Sequence, residues 1–431
     1  MKTTLVSMVA VVTLGSVPAL AQSAAVDPQL LQQLQETIRH QQQQLEQQAA
    51  QIKAQAAVLQ QLQQQVGALQ AKPPAVTATA GPAEQPAKPS PALVTSGNDK
   101  IRLSLSGHIN RAVNVVNDGG RTNLYHVDSN ADNTRIRLVG TARVSDDLTL
   151  GSRLEFAVSA DDSSIVSQDN QAPGSFINTK FAEISLRSKS FGTLYLGKGS
   201  SASDNTSAVD LSGTDIVLYS SIADIAGGIR FRQKNGLLSN TSLAAAFDPL
   251  DGLGVVSRLR YDSPEFYGFM LSGSLVTNQR SDLALTWGGE GYGFQAAAAF
   301  ALANPKLPGA GLQYDGSYSL LHLASGLNLT LAGGLLEQKQ RNDSSNLYIK
   351  LGWLANLTGL GNTAFGVDYT DSREMATAGD KGYSVGGAVV QAFEKYATEL
   401  YLQYRVFSLD RTAGVPVSGI SVGTFGARVK F

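Results

Sequence analysis

Residues 135–158 read RIRLVGTARVSDDLTLGSRLEFAV, and their alternation decides what kind of chain this is. Ile136, Leu138, Gly140, Ala142 and Val144 fall on one face, with Arg135, Arg137, Thr141 and Arg143 on the other. Ser145, Asp146 and Asp147 make a turn, after which Leu148, Leu150, Leu154, Phe156 and Val158 alternate with Thr149, Gly151, Arg153 and Glu155. A period of two predicts a β-hairpin with one greasy and one charged face. Taken alone, the hairpin suits either a sandwich or a barrel.

The number and length of such segments separate the two. Stretches of roughly ten residues, the length a tilted membrane strand needs, recur at 181–187, 253–261, 269–276, 327–336, 347–354, 398–407 and 420–431. Tight turns such as 324–326 alternate with longer polar loops such as 337–346. The sequence therefore predicts an all-β transmembrane antiparallel barrel. Sixteen strands are favoured, and eighteen result if the weakest pair, 227–233 with 241–247, is counted in the wall. Either size leaves an interior too wide for side chains to fill, which implies an aqueous channel. The last residues, GTFGARVKF, alternate to the final Phe431, as a strand that closes a barrel must.

Composition narrows the function. The 431 residues carry a net charge of -1 and no cysteine. The charge balance gives no field for nucleic acid, and the missing cysteine removes disulfides, thiol catalysis and Cys-ligated zinc. His40, His108, His126 and His322 have no metal-ligand spacing. GTLYLGKG, 192–199, has phosphate-loop spacing up to Lys198, but Gly199 replaces the Ser or Thr that would hold magnesium, and the stretch alternates like a strand. No nucleophile-elbow serine occurs. The chain is expected to need no cofactor and to be no enzyme.

Four segments follow. Residues 1–21 have Lys2, an apolar run and Ala19-Leu20-Ala21, the pattern of an export signal. In 22–71, Leu31, Ile38, Leu45, Ile52, Leu59 and Val66 recur every seventh position, and Leu34, Leu62 and Leu69 with three glutamines follow three residues after them. This predicts a coiled coil roughly 60 Å long. Residues 72–99 are rich in proline and predict an extended spacer. Residues 100–431 form the barrel.

Within the barrel, Arg102, Arg135, Arg137, Arg143, Arg153, Arg187, Arg258 and Arg260 lie opposite the apolar faces, with Glu155 among them, and are expected to line the pore. The segment after Leu196 carries Asp204, Asp210, Asp215 and Asp224 with no basic residue beyond Lys198 up to Ala226. Folded inward, it would set carboxylates against guanidinium groups across a waist, a transverse field that selects among solutes. The clustering of arginine leans towards anions. The competing reading of that segment is a solvated loop whose aspartates end turns.

SGHINRAVNVVNDG (106–119), NTRIRLVGTARVSDDLTLGSRLEF (133–156), RLRYDSP (258–264) and the tail resemble the general porins of Gram-negative bacteria. That resemblance implies a homotrimer of 16-stranded barrels in the lipid and lipopolysaccharide of the outer membrane. Each barrel would pass small hydrophilic solutes and be narrowed by its third loop, here extending to about Gly252. It also implies that Thr424, Gly426, Val429 and Phe431 form the signal read by the outer-membrane assembly machinery. The N-terminal segment resembles a porin subset with a periplasmic coiled coil. A second function follows from it: an anchor tethering the envelope to the peptidoglycan through that coil.

Overall fold

The computed structural model describes Arg39, residues 94–98 and residues 100–431. The export signal, the coiled-coil core from Leu31 to Leu69 and the spacer up to residue 93 lie outside the described residues, and Arg39 is helical; Val94–Gly97, expected in the spacer, instead form a strand paired with the barrel. The strands belong to the compact unit Ala83–Phe431.

The strands are β1 (Val94–Gly97), β2 (Ile101–Asn117), β3 (Thr122–Asp128), β4 (Arg135–Arg143), β5 (Leu148–Ala160), β6 (Ser175–Ser188) and β7 (Gly192–Ser200). A long loop holds β8 (Arg230–Arg232), β9 (Leu238–Ser242) and a single helical turn, α1 (Leu243–Ala246). Then come β10 (Val255–Asp262), β11 (Phe269–Val276), β12 (Arg280–Gly291), β13 (Phe294–Asn304) and β14 (Ala310–His322). The last six are β15 (Leu327–Gln338), β16 (Ser344–Ala355), β17 (Thr363–Arg373), β18 (Lys381–Phe393), β19 (Thr398–Asp410) and β20 (Ile420–Lys430).

Every pairing along the wall is antiparallel, and β2 pairs with β20, which closes the sheet. Of the eighteen strands in that sheet, β1 is a short addition at one rim, and β3 and β4 are two halves of one wall strand, both paired with β2. Sixteen wall strands remain. The doubtful pair 227–233 and 241–247 therefore belongs to the long loop, where β8 and β9 make a separate two-stranded sheet.

Closure runs to the last residue. Gly107 and Phe431 exchange backbone hydrogen bonds of 2.8 and 2.9 Å, and a methyl group on Gly107 would lie 2.7 Å from the Phe431 ring. A glycine here lets the terminal aromatic lie flat on its neighbour. Beyond Phe431, β1 takes over the same edge, with Val94 opposite Leu105.

The outward faces are apolar and exposed, as on Leu271, Leu283, Ile349, Val367 and Leu402. Phe191, Phe266, Tyr267, Tyr292 and Tyr396 ring the rim that holds Phe431. A belt of exposed aliphatics edged by aromatics is what lipid contact requires and water penalises. No described helix is long and apolar enough to cross a membrane, so the strands do the crossing.

The expected alternation of short and long connections is weaker than the sequence suggested. At the rim opposite Phe431, the connections 277–279, 305–309 and 339–343 are short, while 356–362 at the Phe431 rim is longer. The chain concentrates its length in residues 201–254.

Candidate functional site

Residues 201–254 do not stand out from the rim as a solvated loop. Their backbone and side chains bond to inward-facing wall residues. Ser203 donates from its N and Oγ to Asp282 at 3.0 and 2.6 Å, and Thr206 donates to Asp315. The amides of Val209 and Leu211 donate to Ser317 and Ser319, both at 2.9 Å. Lys350, fully buried, pairs with Asp210 and donates to Ser212, Thr214 and the Leu218 carbonyl at 2.8, 3.0 and 2.9 Å. On the other side of the lumen, Asn114 of β2 donates to the Ile225 carbonyl at 2.6 Å, and Ser163 donates to that of Asp224 at 2.5 Å.

This seating has two sequence signals that strand periodicity overlooks. On β12 and β13 the inward residues Ala284, Ala297, Ala299, Ala301 and Ala303 are small and buried, and Ala202 and Val209 pack on them. Small side chains let another piece of backbone come close. The second signal is the loop's own greasiness: Ile216, Val217, Leu218, Ile222, Ile229, Phe231, Leu243 and Phe247 form an apolar core with Phe407, Leu409, Ile420 and Val422 of the wall.

The opposite wall is basic. Arg135, Arg137 and Arg153 converge on Glu155 at 3.4, 2.6 and 2.7 Å. Arg153 also lies 3.5 Å from the Phe181 ring centroid, a cation–π contact. Asp132 pairs with Arg135 and Arg428, and lies 3.6 Å from His108. Glu399 holds Arg428 and Lys430 at 2.5 and 3.0 Å. Arg258 pairs with Glu183 at 2.5 Å, and Arg260 with Asp262 at 2.7 Å.

Several sequence-stated positions change role. Asp210 is buried against Lys350 on the far wall, so it fastens the loop there and does not face the arginines. Glu155 is fully buried beneath three guanidinium groups, a hub for the wall with no face to the lumen. Alternation could place Glu155 on the inner face, but not under its neighbours. Asp215 is exposed and is a charged neighbour of Arg428, and Asp204 has Lys180 and Arg260 as its basic neighbours. Arg102, Arg143 and Arg187 are exposed towards the Phe431 rim, away from the loop's bonds. Of the described histidines, His108 alone joins the cluster, with Nε2 2.8 Å from the Asn133 carbonyl. The stretch 192–199 is strand β7.

The loop's acids respond to burial. Burial pushes the Asp224 carboxyl up to about 6, against hydrogen bonds from Tyr219 and Asn130. Asp251, partly buried and bonded by the amides of Asn205 and Ser207 at 2.9 Å each, is likewise raised by desolvation to about 6. Asp118 at the open rim goes the other way. Burial opposes its charge, but Arg232 and the amides of Arg121 and Gly120 outweigh that and hold it at about 2.

At the seam, Tyr401 reaches across Gly426 to donate to Asn110 at 2.7 Å, and a methyl group at Gly426 would come within 2.3 Å of its ring. Thr424 donates to Asn114 at 2.8 Å. Val429 faces outward with Phe425.

The sequence that folds into this closed antiparallel barrel matches the family model of the Gram-negative porins over residues 75–419. The chain belongs to that family. This porin shares its fold with the anion-selective porin from Comamonas acidovorans, at 16% identity and a TM-score of 0.53, covering 77% of this chain and 100% of that one. OmpT of Vibrio cholerae aligns at 12% identity and a TM-score of 0.52, covering 78% and 99%. The outer-membrane channel DcaP of Acinetobacter baumannii aligns at 11% and 0.50, covering 78% and 99%. No curated relative matches the sequence. Family and fold make this porin an outer-membrane channel for passive diffusion.

Proposed function

We propose that the channel passes small hydrophilic solutes with a preference for anions, through a water-filled lumen narrowed by residues 201–254. The observation that carries this reading is the asymmetry of the lumen: the loop is fastened to the small-residue wall and leaves the basic wall facing it. Asp204 and Asp215 of the loop have Lys180, Arg260 and Arg428 as charged neighbours. Fixed charges of this kind select ions and orient dipolar solutes as they pass. Arg102, Arg143 and Arg187 extend the basic path towards the Phe431 rim.

Single-channel conductance with neutral polymers of graded size tests the narrowing. Polymers excluded by the natural channel should enter one in which residues 205–250 are replaced by a short Gly-Ser turn. An equal size limit in both would overturn it.

The assembled unit in this reading is a homotrimer. Arg111 lies on the outward face midway along β2, between Ile109 and Val115, 3.8 Å from the buried Asp128. Hydrocarbon is a poor neighbour for such a pair, whereas a second protein surface can take its charge. Thr424, Gly426, Val429 and Phe431 serve as the assembly signal. Residues 1–21 are removed at export, 22–71 form a periplasmic coiled coil, and 72–93 are its spacer. The tether to peptidoglycan is a compatible second role of that coiled coil.

A further inference from the structure

On a regular strand every inward residue is fixed by alternation, so a side chain gains a new direction only where the alternation breaks. Two breaks lie close together on the basic wall. In β6, Phe181 opposes Glu155 and Thr179 opposes Phe156, which leaves Lys180 as an extra residue with no partner in the ladder. One strand further along, across β5, residues 129–134 separate β3 from β4 and carry Asp132 and Asn133. The breaks meet: Lys180 Nζ lies 3.4 Å from Asn133 Oδ1.

The surroundings of Lys180 span the gap. Its charged neighbours are Arg135, Asp132 and Glu155 on the wall and Asp204 on the loop. It is also a charged neighbour of Asp224. Arg135, Arg137, Arg153 and Arg428 each have a carboxylate within ion-pair distance. Among the described residues Lys180 has none, and its hydrogen bond is the long one to Asn133. A paired guanidinium has its field largely cancelled by its partner. An ammonium on a flexible stem, carried by a bulge, keeps its charge and three donors for something else.

We propose that Lys180 is the solute-contact residue of this channel. A carboxylate or phosphate group passing between Arg135 and Asp204 exchanges part of its water for the Lys180 ammonium. Asp204 opposite repels the same group, so the contact draws an anion in without trapping it, as conduction requires. The proposal rests on the anion-channel reading above.

The test uses the full-length porin in planar bilayers, with chloride current titrated by inorganic phosphate. Phosphate should reduce the current of the natural channel. In K180Q the half-blocking concentration should rise about tenfold, the loss expected for one charge-assisted hydrogen bond. K180R should keep most of the block. K198Q, on the outward face of β7, should behave as the natural protein. Each variant is checked for the heat-modifiable gel mobility of a folded barrel, and K180M, which keeps the stem, replaces K180Q if that variant does not fold. Equal block in natural and K180Q channels of anion preference, or an equal loss in K198Q, would overturn the role of Lys180. A natural channel that favours cations would overturn the anion reading itself, before any variant is compared.

Discussion

The two halves of the inner wall are built on opposite principles. From β12 to β16 the wall presents small Ala and Ser side chains, the carboxylates Asp282 and Asp315 and the buried Lys350 to the loop, whose donors and acceptors meet them directly. From β2 and β4 to β7 and on to β10, and again at β20, the wall presents long basic side chains whose main partners are carboxylates of the same wall. Small side chains let the loop sit close, and paired guanidinium groups hold their shape without it. In the function proposed above, the passage runs next to the basic wall, because the loop is fastened along β12 to β16.

The comparison breaks most sharply at Lys350. Lys350→Met leaves Asp210 buried without its cation, and removing one partner of a buried pair costs about 3–5 kcal/mol. The loop should become cleavable by added protease in the folded barrel, and conductance should rise and grow noisy. An intact loop with unchanged current would mean that the small-residue wall does not hold it.

Glu155→Gln attacks the other half. Three guanidinium groups lose their shared anion, so the reversal potential should move towards anions. Unheated gel mobility should show a barrel that melts earlier, at a cost of about 1–3 kcal/mol. A shift towards cations would contradict the hub assigned to Glu155.

Gly426→Ala tests the seam shared by both halves. The added methyl group displaces the Tyr401 ring, an overpacking that costs about 1–3 kcal/mol. The melting temperature should fall with little change in selectivity.

Acidification sharpens the comparison most gently. Asp224 and Asp251 have folded values of about 6, above the ordinary 3.8. A raised carboxyl contributes stability that is fully present below the ordinary value and is lost as pH rises through the folded one. The loop should therefore resist protease better at pH 5 than at pH 7, and anion preference should increase over the same interval. Faster cleavage at pH 5 would reverse the sign of this account.

The barrel was legible because a period of two survives every substitution that keeps one face apolar, as 135–158 and 398–407 do. The strand count turned on 227–247, whose short apolar runs look the same in a wall and in a loop core. The basic wall was legible by the same alternation. Asp210 and Asp215 could not be told apart, since in irregular backbone five residues of separation say nothing about direction. Lys350, a lone cation on β16, was not singled out because its partners lie more than 130 residues away in the chain. Lys180 was missed because a bulge adds one residue and has no composition of its own. The small inner faces of β12 and β13 and the apolar run 215–231 were in plain view, but only a folded wall gives them meaning.

The central claim is that solutes pass between the loop and a basic wall. Its most direct test is the reversal potential of the natural full-length protein in a planar bilayer under a potassium chloride gradient. This account predicts open channels with a reversal potential displaced towards the chloride equilibrium. A displacement towards potassium would contradict it.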